Sequence, residues 1–151
     1  PMTVPEIVGV NLENQLKEGI TSTDLVLHIT KLLRANKVVG SFIEFCGEGV
    51  ENLTVGDRAT ISNMAPEYGA TAVLFPVDNS TLDYLKMTGR TDEEIQVVEE
   101  YSKNQKLWRR SDITPDYNRV LNLDLSSIEP CVSGPKNPED KINLNKFSNR
   151  N

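Results

Sequence analysis

Cysteine is scarce in this 151-residue chain. Cys46 and Cys131 stand far apart, with no CxxC or CxxH pattern, so neither belongs to a zinc or iron-sulfur ligand set of recognisable spacing. Both read as reduced structural thiols, since nothing else points to an oxidising compartment. Positive charge is outnumbered: 16 Lys plus Arg face 22 Asp plus Glu, a formal net charge of −6. Such a field repels phosphate backbones and anionic lipid surfaces, so nucleic acid is not an expected partner of this chain. Long apolar runs are missing too. The stretch 71–77 is among the longest, far short of the roughly 20 residues that span a bilayer. No basic segment followed by an apolar one opens the sequence, and a cytoplasmic location is the simplest expectation.

What is present suits a folded domain. Hydrophobic residues make up 38% and charged residues 25%, too apolar a balance for a disordered chain of this charge. A chain of this length buries roughly two-thirds of its unfolded surface, enough for one core.

The pattern along the chain alternates strands and helices. Residues 6–12 (EIVGVNL) have the β-branched alternation of a strand. Hydroxyls at Thr21, Ser22 and Thr23, with Asp24 beside them, then start a helix whose Leu25, Ile29, Leu32 and Leu33 recur at helical spacing to about Asn36. A second strand is expected over 38–46, closed by Gly47 and Gly49. Thr54 caps a helix over 55–63, and Pro66 marks a kink or restart by disfavouring helical torsions at Ala65. Residues 71–75 (TAVLF) read as a strand buried on both faces. Asp78 or Ser80 starts a helix to Met87 with Gly89 at its end, and Asp92 begins another with Ile95, Val98 and Tyr101 on one face. Residues 119–125 (RVLNLDL) form the last clear strand.

Strands separated by helices predict an α/β fold, a three-layer α/β/α arrangement around a mostly parallel sheet. Residues 1–130 form the expected domain. Residues 131–151, rich in Pro, Asn and Lys, lack periodicity and read as an irregular connection toward a downstream domain not in this sequence. The opening Pro1 in place of a methionine agrees with an internal piece.

Several motifs have ordinary readings. Residues 47–50 (GEGV) lack the GxxxxGK[ST] spacing and any lysine to reach a phosphate, which leaves a structural turn. His28 shares a helical face with Asp24 and Lys31, opposite the apolar stripe, and is expected to be a solvated side chain instead of a catalytic base. Asp92, Glu93 and Glu94 complement a helix dipole. Asp57 and Arg58 read either as an exposed charge pair or as an anchor to another domain. Lys103, Lys106, Arg109 and Arg110 make a local basic strip, read as a solvated helix end. Asn63 and Glu67, four positions apart, put a carboxamide and a carboxylate on one helical face, where they could orient a hydroxyl and move a proton. Spacing alone equally fits a helix end with two ordinary polar residues.

The words VVGSFIEFCGEGVENLT, DRATISNMAPEYGATAVLFPVD and LDYLKMTGR resemble consecutive stretches of the aconitase family (aconitate hydratase). TDLVL upstream and SGPK downstream extend the resemblance over nearly the whole chain, toward its bacterial aconitase A and iron regulatory protein branch. The resemblance implies one domain of the iron-sulfur region of an enzyme that interconverts citrate and isocitrate through cis-aconitate on a [4Fe-4S] cluster. In the family's NM-x-x-E-x-GA motif the Asn and Glu face the cluster and its bound hydroxyl or water, which points to Glu67 and Asn63 as catalytic and to Asn63 as cofactor-facing. The family's cluster cysteines sit in CTN and CGPC segments that do not occur here, so no metal ligand is expected and the isolated chain should hold no cluster and be inactive. Expected partners are citrate, isocitrate, cis-aconitate and the remaining aconitase domains, with no membrane. A 2-methylcitrate dehydratase fragment and an RNA-binding module of an iron regulatory protein are the alternatives.

Overall fold

The computed structural model describes residues 3–111 and 115–147. Four parallel strands form the main sheet in the order β3-β2-β1-β4: β1 (Ile7–Glu13), β2 (Phe42–Cys46), β3 (Ala72–Leu74) and β4 (Arg119–Asp124). The helices are α1 (Ser22–Ala35), α2 (Val55–Asn63), α3 (Ala65–Tyr68), α4 (Asn79–Met87) and α5 (Asp92–Asn104). The class is α/β, a parallel sheet flanked by helices and consistent with the three-layer expectation.

Alternation along β1 decides where the core sits. Val8, Val10 and Leu12 are fully buried and meet Ile43 and Phe45 of β2, Leu123 of β4, and the Leu25, Ile29 and Leu33 stripe of α1. Phe45 stacks on Phe75 at a centroid distance of 4.5 Å. On the opposite face Gly9 pairs with Glu44 and Val120, and Asn11 with Cys46 and Asn122. Gly9 has no alternative there, because a Cβ would lie 2.4 Å from the Tyr117 ring.

Helices α1, α2, α4 and α5 begin on side-chain caps. Thr21, Thr54, Asp78 and Thr91 each accept from the backbone N–H three residues on and donate their own backbone N–H to that residue's side chain. Strand β2 starts later than expected, at Phe42: Lys37 and Gly40 take positive φ (+54° and +80°) and turn the chain before it can pair.

The chain steps from β1 to β2 to β3 in one direction across the sheet, then returns past both to β4 through α4 and α5. The strand order therefore reverses between β1 and β4. The stretch read as an irregular connection holds, in its described part, a hairpin of β5 (Cys131–Ser133) and β6 (Lys141–Asn143) followed by α6 (Leu144–Phe147). The Cys131 N–H donates to the Asp24 carboxylate at 2.8 Å and docks the hairpin on α1. Strands of three residues are too short to display alternation, which is why the sequence showed none. Residues 148–151 lie outside the described residues.

Candidate functional site

Asn63 is the last residue of α2 and Glu67 lies in α3, and both are exposed. Met64 joins the two helices at φ −90°, ψ 11°, close enough to helical torsions that Asn63 and Glu67 stay on neighbouring turns. Pro66 falls in the first turn of α3, where its missing N–H costs nothing. The fully buried Tyr68 donates its hydroxyl to the Ile61 carbonyl at 2.9 Å and clamps α3 back onto α2. Gly69 then ends the turn at φ +81°, and its carbonyl accepts from the Gly40 N–H at 2.9 Å. Its position is tight, since a Cβ there would approach Val39 to 2.9 Å. Neither the Asn63 nor the Glu67 side chain makes a hydrogen bond among the described residues, so their polar groups face outward on a rigid support.

Helix α2 is itself held at its other end. Thr54 and Asp57 form its capping box, and Ser22 of α1 donates to the same carboxylate. Burial pushes the Asp57 carboxyl up, but the Ser22 and Thr54 hydrogen bonds and the neighbouring Arg58 outweigh it and hold the group below the usual carboxylate range. Arg58 is neither an exposed pair nor an anchor to another domain. It is 5% exposed and forks onto both carboxylate oxygens of Asp78 at 2.9 and 2.6 Å, with a further bond to the Val50 carbonyl.

The candidate pair Asn63 and Glu67 lies at the end of the sheet where the strands begin. The general rule for open α/β sheets places ligands outside the carboxyl ends of the strands. Here α2 leaves the carboxyl end of β2 and runs back, so Asn63, α3 and Gly69 sit where β2 and β3 begin, fixed by the Gly40–Gly69 bond and by the Thr71 N–H to the Ser41 carbonyl at 2.9 Å. At the carboxyl ends, a separate crevice of about 570 Å³ opens between β1, β2 and residues 109–111 and 115–120, lined by Asn11, Cys46, Glu48, Arg109 and Tyr117, and neither Asn63 nor Glu67 lines it. A cavity of about 380 Å³ instead places Met64 and Leu27 beside the loop Ser133–Pro138. That neighbour was not visible in the sequence, because nothing local joins positions seventy apart.

Other expected features resolve as follows. His28 is half-buried instead of solvated, with Lys141 Nζ 3.0 Å from its Nδ1. In the basic strip, Lys103 pairs with Glu99 and lies 4.8 Å from the Trp108 ring centroid, while Arg109 pairs with Glu51. Both cysteines are free thiols.

A parallel α/β domain carrying an outward carboxylate and carboxamide on adjoining helical turns defines a class of site, not yet a family. The family model described as Aconitase family (aconitate hydratase) matches residues 1–151. The chain is 52% identical over 147 residues to Aconitate hydratase A of Rickettsia bellii, covering 97% of this chain and 17% of that protein. It is 53% identical over 144 residues to the protein of that name from Rickettsia prowazekii, covering 95% and 16%. It is 51% identical over 149 residues to the one from Cupriavidus necator, covering 99% and 17%. The chain belongs to the aconitase family, and it spans about one-sixth of the length of these relatives.

Proposed function

We propose that this chain supplies Asn63 and Glu67 to the active site of an aconitate hydratase, a lyase that interconverts citrate and isocitrate through cis-aconitate. The reading rests on one observation above the rest: about half of the residues are identical, over nearly the whole chain, to proteins named Aconitate hydratase A. Loss of water requires a proton on the departing hydroxyl, and its addition requires that proton to be taken back. Glu67 handles that proton through its carboxyl group, and Asn63 orients the hydroxyl or a substrate carboxylate through its amide. Support from Tyr68 beneath the turn holds both groups in place without consuming their hydrogen-bonding capacity.

The intact enzyme is read as carrying a [4Fe-4S] cluster. The residues of this chain do not fit as its ligands. Cluster iron needs thiolates, and burial pushes both the Cys46 and the Cys131 thiol up. Cys46 ends β2 and Cys131 opens β5 across α1, and among the described residues no three of His, Cys, Asp and Glu group to hold a metal. The ligands are assigned outside this chain. The division into a domain over 1–130 and a connection over 131–151 belongs to the same proposal. So does a cytoplasmic location, for which the two free thiols are the support; no described helix is long and apolar enough to cross a membrane.

Two experiments test the reading. Anaerobic iron-sulfur reconstitution of the 151-residue chain should leave it colourless and without cis-aconitate formation, and a stable coloured cluster would contradict the ligand assignment. Replacing the matching stretch of the Cupriavidus necator protein with this chain should give an active hydratase. In it, Glu67→Gln should lower kcat by about 10²- to 10⁴-fold with an unchanged melting temperature. Full activity in that variant would remove Glu67 from the site.

A further inference from the structure

Along the outer side of α1 runs a groove of about 570 Å³ that the proposed active site does not use. Its walls carry His28 and Lys31 of α1, Lys141 and Asn143 of β6, and Lys146 of α6, over an apolar floor that includes Leu32. No carboxylate lines it, in a chain with 22 of them. The acids nearby are committed elsewhere: Glu139 pairs with Arg34 at 3.3 Å, and Glu129 accepts from Asn143 and Asn145. Lys31, Lys141 and Lys146 have no carboxylate partner among the described residues.

The hydrogen bonds give the groove a single polarity. Lys31 Nζ donates to the Lys141 carbonyl at 3.2 Å, which brings two ammonium-bearing residues together. Lys141 Nζ lies 3.0 Å from His28 Nδ1, and an ammonium can only donate. Nδ1 must therefore accept, and the imidazole proton sits on Nε2 as another donor. Burial, then the charges of Lys141 and Lys31, hold His28 below the usual histidine range, in agreement with a neutral ring. The charges of Lys141 and Lys31 both act on His28, and an anion bound beside them would be attracted by both.

We propose that this groove between α1 and β6 is a binding site for a compact phosphate-class anion, held by Lys31, Lys141 and Lys146 with His28 as a further donor. Lysine ammoniums are point charges that suit a tetrahedral, multiply charged oxyanion, whereas planar carboxylates are matched best by guanidinium forks, and no arginine lines the groove. The volume falls in the range of small-ligand sites, roughly 300–1,000 Å³. The net charge of −6 disfavours a long polyanion such as RNA.

Titration calorimetry of the 151-residue chain with inorganic pyrophosphate at low salt tests the site, with citrate and a structured RNA as separate arms. One saturable site is expected, with Kd below about 1 mM, weakening as salt is added. Lys141→Gln should weaken it about tenfold or more, and the exposed Lys31→Gln and Lys146→Gln about threefold or more each, by loss of one charge contact apiece. Lys17→Gln, which lies off the groove, should leave it unchanged. The His28 ring resonances should titrate at higher pH with pyrophosphate bound, as the charges of Lys31 and Lys141 are neutralised. Wild-type affinity in the three groove variants, with thermal melts showing them folded, would overturn the proposal. So would absence of saturable binding, tighter binding of citrate than of pyrophosphate, or binding of the RNA alone.

Discussion

Helices α1 and α5 begin alike, each on a threonine capping box closed by an acidic residue three positions on, yet they serve the molecule differently. Helix α1 buries Leu25, Val26, Ile29 and Leu33 against the sheet. Helix α5 buries only Ser102 and leaves Val97 and Tyr101 more than half exposed, while its partner α4 buries no residue. Caps and propensity start a helix, but most helical stability in proteins comes from packing an apolar face. The sheet half owes its stability to that packing. The α4–α5 pair is tied on by the buried Arg58–Asp78 fork and by backbone bonds between Val77 and residues 107 and 109.

The strongest way to break this contrast is at the fork. Arg58→Ala should cost about 3–5 kcal/mol in denaturant unfolding, because it strands the Asp78 carboxylate in a buried site. Hydrogen exchange should show the loss first in α4 and α5. Leu25→Ala comes next, with a cavity cost of about 2–5 kcal/mol in the same unfolding experiment, this time with the sheet and α1 losing protection. Gly47→Ala should cost about 1–3 kcal/mol, since φ is +91° and a Cβ would meet Asn11 Oδ1 at 2.3 Å; thermal melting checks it. Acid gives a smaller effect that also separates the regions. The folded His28 binds its proton less readily than the unfolded one, so stability is full above the usual histidine range and falls as pH drops through it. His28→Asn should flatten that limb of the stability curve. A second loss follows at lower pH. Burial pushes the Asp24 carboxyl up, but hydrogen bonds from Thr21 and Cys131 outweigh it and hold it low, as those from Ser22 and Thr54 do for Asp57. The stability that both contribute is present above the ordinary carboxylate range and is lost as pH falls through their lowered values. All of these titrating groups belong to the sheet half. Smallest of all, Val97→Ala should stay within about 0.5 kcal/mol of wild type by thermal melting.

Much of the fold was legible. The bounds of α2 and the start of α5 follow from Thr54 and from the acidic turn at Asp92, because caps are local chemistry. The strand at 119–124 was legible from alternation. The β5–β6 hairpin was not, since strands of three residues carry too few positions to show a period. Of the candidate site, the Asn63–Glu67 spacing could be read directly, whereas its end of the sheet could not. That end depends on which way α2 runs back, and the expectation from the general rule for α/β sheets pointed to the opposite one. The expectation for His28 fails for a related reason. Helical periodicity places it off the apolar stripe, and the residue that half-buries it, Lys141, comes from a hairpin far along the chain.

By itself, then, the sequence determined what depends on neighbours along the chain: the helix starts, the alternating strands, the α/β class, and the motif words that carried the resemblance to aconitases. Tertiary structure decided what depends on contacts between distant residues. It turned Arg58 inward onto Asp78, set Tyr68 beneath the Asn63–Glu67 turn, and closed β6 against α1 to gather three lysines around one histidine. The physical reason is that burial and charge pairing are properties of assembled surfaces, and no local pattern records which surface a side chain will meet.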